Sequence, residues 1–256
     1  MPVIATAAWS IARPVADRFP AEGSGLARYA AVFRGVEVNT TFYRRHRRDT
    51  FARWAASVPE DFRFALKIPQ EITHDMRLAG IGERFASFID EIAPLKRKLG
   101  PLLCQLPPSL PFDGARAQEA FAEMRRLYSG PLAIEPRHRT WAGAAAQALF
   151  ARFSIDRVLA DPPVVWDAAQ FSGPVRYLRL HGRPKLYHSP YSPAEVDAFL
   201  ERLADDGWCV FDNTASGAAT VNALETLERH AALEAAEPMR RGKRYPAENM
   251  DAGRLS

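Results

Sequence analysis

Residues 84–106, RFASFIDEIAPLKRKLGPLLCQL, hold a helix and a strand in tandem. Phe85, Phe88, Ile89, Ile92 and Leu95 recur at spacings of three and four, which gathers them on one helical face of the segment Arg84–Leu99. Gly100 stops the pattern, and Pro94 is expected to kink the helix or end it early. Leu102–Leu106 follows as a short apolar run of strand length. The same unit recurs on either side. Candidate strands read as Val3–Ala7, Gly35–Asn39, Arg63–Ile68, Leu102–Leu106, Leu132–Glu135, Asp156–Ala160, Val175–Leu180 and Cys209–Asp212. Helical patterns run over Ala117–Tyr128, over Pro193–Leu203 with Ser192 as N-cap, and from Ala218 through Val221, Leu224 and Leu227.

Eight strands alternating with helices, at about thirty residues per unit, predict a single parallel (β/α)8 TIM-type barrel. An open doubly wound sheet is the alternative, and it lacks a glycine-rich phosphate loop after any strand. The division expected is a barrel over residues 1–230 and a polar, basic tail over 231–256 that frays.

The 256 residues are 47% hydrophobic and 25% charged, a globular composition that excludes wholesale disorder and a disulfide scaffold. Cys104 and Cys209 sit in apolar stretches and read as buried thiols. With no secretory signal and no long apolar run, the expected compartment is cytoplasmic and no membrane contact is expected. Net charge is +4. The excess gathers in two clusters: Arg44, Arg45, Arg47 and Arg48 around His46, and Arg240, Arg241, Lys243 and Arg244. Either cluster suits anionic partners, or is solvated surface.

Barrel enzymes build their sites at strand C-terminal ends. Here those ends carry Glu37, Asn39 and Tyr43; Lys67 and His74; Gln105; Glu135 and Arg137; Asp161; Arg179 and His181; and Asn213. Alternation puts Glu37 with Asn39, and Arg179 with His181, on one face of their strands. Unpaired charges are too costly to bury, so the set must pair internally, as Glu37 with Lys67 or Glu135 with Arg179, or line a wet pocket. Carboxylates mixed with cations suit a small anionic or sugar-like molecule. Glu37 and Glu135 are the candidate base and acid, and Lys67, Arg137, Arg179 and His181 orient the substrate and stabilise charge. Asn39, Tyr43, His74, Gln105, Asp161 and Asn213 are candidate polar contacts. The helix start at Gly217 is a candidate anion site, unless Thr214 or Ser216 caps it. No cofactor is expected. A divalent metal on Glu37, Glu135, His181 and Asp212 is the minor alternative, without an H-E-x-x-H or H-x-H pair to support it. A serine hydrolase lacks its G-x-S-x-G elbow. Two further readings are a metal-dependent phosphodiesterase that holds nucleic acid through the arginine loop, and a non-catalytic scaffold.

Several segments together resemble a known family. They are Val36–Tyr43, Phe51-Ala52-Arg53-Trp54, Phe62–Lys67, Ile72–Asp75, Gln105-Leu106-Pro107-Pro108, Glu135–Trp141, Arg179–Gly182 and Asp212–Ala215, with Gly217, Ala218, Asn222 and Ala223. In this order, from about residue 3 to 230, the chain resembles the YecE-like proteins, domain of unknown function 72. The resemblance implies a TIM-barrel-like fold and carries no expectation about the reaction. Two features depart from it. Ala5-Thr6-Ala7-Ala8-Trp9 lacks the glycines that usually precede the first tryptophan, and the loop after Tyr43 is unusually rich in arginine.

Overall fold

The structure, a computed structural model, describes residues 2–241, with side chains described through Ala232. In chain order the elements are β1 (Val3–Thr6), α1 (Gly25–Ala30), β2 (Gly35–Val38), α2 (Thr40–Tyr43), α3 (Arg48–Ala56), β3 (Arg63–Lys67), α4 (Gly82–Ile92) and β4 (Leu99–Gln105). There follow α5 (Gly114–Leu127), β5 (Leu132–Glu135), α6 (Ala144–Arg152), β6 (Ile155–Asp161), β7 (Val175–Leu180), α7 (Pro193–Leu200), β8 (Leu203–Phe211) and α8 (Ala218–Arg241).

All strand pairs are parallel, in the order β1-β8-β7-β6-β5-β4-β3-β2. The ends of that sheet meet where Ala7 bridges Glu37 and the Ala8 N–H donates to the Glu37 carbonyl at 2.9 Å. This is the (β/α)8 barrel the strand count predicts. Its closing seam is the shortest.

The seam also shows what a glycine in this segment would relieve. Ala8 holds φ +99°, a conformation that costs an alanine about 1–2 kcal/mol. Ala8→Gly relieves that strain and gives back part of the gain as unfolded-chain entropy. It is expected to raise the melting temperature by about 1–4 °C, and a fall in a thermal melt would contradict this.

Helix boundaries follow local chemistry. Pro94 ends α4 at Ile92, and the chain continues as a 3-10 turn over Ala93–Lys98 that still buries Leu95. Ser192 caps α7 through a capping box with Glu195. Two expected boundaries shift. Strand β4 begins at Leu99 rather than Leu102, because Leu99 pairs with Phe64 across a bulge. Leu203 fits the helical spacing of α7 but belongs to β8, where it pairs with Val175. Helix α8 runs past residue 231 to Arg241. The basic cluster at 240–244 and the rest of the polar tail lie outside the residues whose side chains are described.

Strand alternation divides the core in two. One face packs under the helices. The other fills the barrel with a separate cluster of Ala5, Ala7, Ala65, Leu103, Ala133, Val158, Tyr177, Trp208 and Val210. Trp208 plugs the N-terminal end, stacked on Tyr177 with ring centroids 6.3 Å apart. A Cβ on Gly35 would stand 3.0 Å from the Trp208 ring, so the plug needs glycine there. Cys104 and Cys209 are buried and free, and burial pushes the Cys104 thiol up to about 12. Among the described residues no helix is long and apolar enough to cross a membrane.

Candidate active site

Above the alanine layer the barrel interior turns charged. Arg179, 1% exposed, stands at the centre. Its Nε and Nη2 donate to the two carboxylate oxygens of Glu37 at 3.0 and 2.8 Å. Nη1 donates to Glu135 Oε2 at 2.6 Å, and Nη2 also donates to Asp212 Oδ2 at 2.9 Å. One guanidinium thus engages three carboxylates, with the fork geometry that suits arginine to the task. Tyr177 donates its hydroxyl to Glu37 Oε2 at 2.9 Å. Burial and the Glu37 charge keep that phenol well above its ordinary pKa.

Glu135 also accepts from Arg137, Nη2 at 3.0 Å and Nε at 3.3 Å. Burial opposes its charge, but Arg179, His181 and Arg137 outweigh burial and hold the carboxyl at about 2. Asp212 is likewise held below its ordinary value, against burial, by Arg179 and His181. His181 Nδ1 donates to Asp212 Oδ2 at 2.9 Å. Its Nε2 is buried without a hydrogen-bond partner, 3.7 Å from Glu135 Oε1, with the Tyr187 ring edge-on beside the imidazole.

A cavity of about 600 Å³ opens above this cluster. Its wall includes Asn39, Phe42, Tyr43, Lys67, Gln70, His74, Gln105, Arg137, Tyr187, His188, Asp212 and Thr214. Lys67 is the exceptional group. It is 6% exposed, and among the described residues it has no hydrogen-bond acceptor and no carboxylate within 4 Å. Its Nζ stands 4.0 Å over the Phe42 ring, a cation–π contact. Burial, with the nearby Arg179 charge, lowers the Lys67 pKa to about 8 against the pull of Glu37, Glu135 and Asp212. Burial and Lys67 also lower His74, whose Nδ1 lies 2.9 Å from Thr73 Oγ1.

The expected site residues therefore separate into two levels. Lys67, Asn39, Tyr43, His74, Gln105 and Arg137 line the cavity. Glu37, Glu135, Arg179 and His181 lie outside its wall, in the buried ion cluster. Both Glu37 oxygens are bound, so a general-base role would require breaking the Arg179 pair. A carboxyl held at about 2 is anionic at neutral pH, so an acid role for Glu135 would require its ion pairs to loosen.

Asp161, Asn213 and Gly217 also stand apart from the cavity. Asp161 Oδ2 accepts from Tyr191 at 2.8 Å and pairs with Arg183 Nε at 3.2 Å. Asn213 donates to Ser189 O and Asn222 Oδ1. Gly217 takes φ +81° against Ala12. The anion site expected there is filled by the loop's own oxygens. The Gly217 N–H donates to Thr214 O, that of Ala218 to Ser216 Oγ, and that of Ala219 to Asn213 O.

Gln70, Tyr187 and His188 belong to the cavity wall beyond the expected set, and Asp212, expected there only as a metal ligand, lines it too. The three new residues follow a strand C-terminal end by a few to several residues, so the rule that found Lys67 would have found them if carried further into the loops. Of the four side chains expected as a metal set, the three carboxylates converge on Arg179, whose guanidinium donates to each, and His181 joins them through Asp212. Among the described residues no group of three or more His, Cys, Asp or Glu is arranged to hold a metal ion.

A broader surface cleft, of about 840 Å³, lies beside α6 at the N-terminal ends of β6 and β7. Its arginines are committed: Arg125 donates to the carbonyls of Gly130, Phe153 and Ser154, and Arg176 pairs with Asp206. Of the arginine loop, Arg45 pairs with Glu91 and Arg48 with Asp90, both on α4. Arg44 and Arg47 have no acidic partner among the described residues.

Comparison with known proteins agrees with this architecture. The chain is 33% identical over 84 residues to the UPF0759 protein YecE of Escherichia coli K12, a stretch covering 33% of this chain and 31% of that protein. A crystal structure of a DUF72 family protein from Thermotoga maritima superposes with a TM-score of 0.72 at 24% identity, covering 90% of this chain and all of that one. A D-psicose 3-epimerase shares the fold at a TM-score of 0.52 and 16% identity, over 90% of this chain and 94% of that one, so enzymes are among the barrels it resembles. The family described as "Protein of unknown function DUF72" matches residues 3–247, and the chain belongs to that family.

Proposed function

We propose that this protein is an enzyme that moves protons on a small anionic or sugar-like substrate, bound in the cavity at the strand C-terminal face. The observation that carries the reading is Lys67. Among the described residues every other charge in the barrel interior is paired, while this ammonium faces an open cavity without a partner. A lysine lowered to about 8 gives up and takes back a proton near neutral pH. Arg137 supplies a fixed positive charge on the same wall, and Asp212 a carboxylate. Asn39, Gln70 and Gln105 offer amide donors and acceptors, and the Phe42, Tyr43 and Tyr187 rings flank them.

The phosphodiesterase reading has less support, because Arg45 and Arg48 already hold α4 and the carboxylates already hold Arg179. A scaffold role leaves the unpaired lysine unexplained.

The test is a thermal-shift panel of phosphorylated and carboxylated sugars, followed by proton NMR of each stabilising compound in D₂O. A ligand at about one hundred times its Kd adds about 2.7 kcal/mol, a rise of about 5–10 °C for a chain of this size. Deuterium is then expected to enter a carbon position of the ligand only when the protein is present. A panel with no stabilising member, or stabilisation without deuterium incorporation, would overturn the reading.

A further inference from the structure

Among the described residues two lysines are buried, and their surroundings are opposite. Lys98 donates to the carbonyls of Ala55 and Val58, each at 2.8 Å, and stands 3.7 Å from Glu60. That lysine is a structural tie. Among the described residues Lys67 has no such acceptor, only the Phe42 ring at 4.0 Å and the cavity in front of it. A buried amine without hydrogen-bond acceptors, beside the Arg179 cation, has its lone pair released more readily than any exposed lysine.

We propose that Lys67 is a covalent site, its Nζ condensing with the aldehyde or ketone carbonyl of a small anionic substrate to form a Schiff base. This rests on the cavity being the substrate site proposed above. In the step, the neutral Nζ donates its lone pair to the carbonyl carbon and the C=O pair moves onto oxygen. The two amine hydrogens leave with that oxygen as water, and the C=N nitrogen takes one proton from solvent to become an iminium. No oxidant or reductant is consumed. The iminium is a cation where the ammonium was, so the Phe42 ring and the three carboxylates around Arg179 stabilise it equally. Arg137, on the same wall, faces the anionic end of the substrate. The groups that set the charge of Nζ come from every side: Arg179 on β7, Glu37 on β2, Glu135 on β5, Asp212 after β8, and His74 after β3.

The chain has few lysines, so the site can be read directly by reductive trapping on the intact wild-type protein. Glyoxylate with cyanoborohydride converts an iminium to a stable secondary amine, located by peptide mapping. Lys67 is expected to label at least tenfold faster at pH 7 than the exposed Lys96 and Lys185. Its rate is expected to level off between pH 8 and 9, while labelling of Lys96 climbs about tenfold per pH unit. Uncharged glycolaldehyde is expected to lose most of the preference for Lys67. Labelling of Lys67 no faster than of Lys96 or Lys185 overturns the proposal. If deuterium incorporation into a stabilising ligand is then still seen, the proton-transfer reading stands without the covalent step; if it too is absent, both fall.

Discussion

Arg179→Met is expected to lower the melting temperature by about 6–20 °C at pH 7. Removing one partner of a buried ion pair costs about 3–5 kcal/mol, because the other charge is left in a low-dielectric interior. Here a single guanidinium serves Glu37, Glu135 and Asp212, so the loss belongs at the upper end. About 2–4 °C per kcal/mol for a chain of this size gives the range stated. The pH dependence has a definite sign. In the wild type the folded Glu135 carboxyl is depressed to about 2, so the unfolded chain binds more protons between that value and the ordinary 4.5. Its stabilisation is complete above 4.5 and is lost as pH falls towards 2. In the variant the carboxyls lack their cation and take up protons earlier, so its deficit is expected to shrink between pH 7 and pH 5. Urea unfolding at the two pH values measures both effects. A variant melting within about 3 °C of the wild type would show that the cluster does not depend on its central cation. Arg179→Lys should recover less than half of the loss, since one ammonium cannot make the two-point contact with Glu37 and reach the other two carboxylates.

Replacing Lys67 is expected to act in the opposite direction on stability and more severely on activity. The fold lowers the Lys67 pKa from 10.5 to about 8, so the folded protein holds that proton less tightly than the unfolded chain does. The sign follows: between pH 8 and 10.5 the unfolded chain binds more protons, and wild-type stability rises with pH across this window. At pH 7 the charged lysine costs the fold up to about 3 kcal/mol, at 1.36 kcal/mol per pKa unit. Lys67→Met removes that cost and keeps the side chain against Phe42. It is therefore expected to be more stable than the wild type at pH 7, by about 1–3 kcal/mol, and to lack the rise above pH 8. Deuterium incorporation and trapping by glyoxylate should both disappear. A group kept at a cost to stability is kept for function, and the combination of a stabler protein with no turnover is the signature. If the variant is less stable at pH 7, Lys67 is a structural cation and the site reading fails.

Arginine 179 illustrates how far the sequence could be read. A charged residue at a strand end, alternating with apolar neighbours, points into the barrel on periodicity alone, and pairing with Glu135 is one of the pairs that alternation allows. The other pair considered, Glu37 with Lys67, does not form, because Arg179 reaches Glu37 across the barrel from β7. Strand order says which residues face inward but not which of several cations, on strands far apart in sequence, arrives within hydrogen-bond distance. Burial then reverses the roles: the two glutamates that look catalytic in the sequence are bound, and Lys67, one of several candidates there, is the unpaired group. Asp161 and Asn213 show the complementary case. Both lie at or just past strand ends, yet both turn away from the cavity to tie the loops around Tyr191 and Asn222, a choice set by side-chain partners nine to thirty residues distant.

Local rules of period, proline and capping were sufficient for the architecture. They determine the eight strands, the end of α4 before Pro94, the capping box of α7 and the inward face of each strand, because each depends on neighbours within a few residues. The positive φ at Ala8, the assignment of Leu203 to a strand and the division between a paired ion floor and an open cavity were decided only by the closed barrel. Those outcomes depend on distances between strands that the chain brings together once, at closure, and on the desolvation of charges that no local pattern measures.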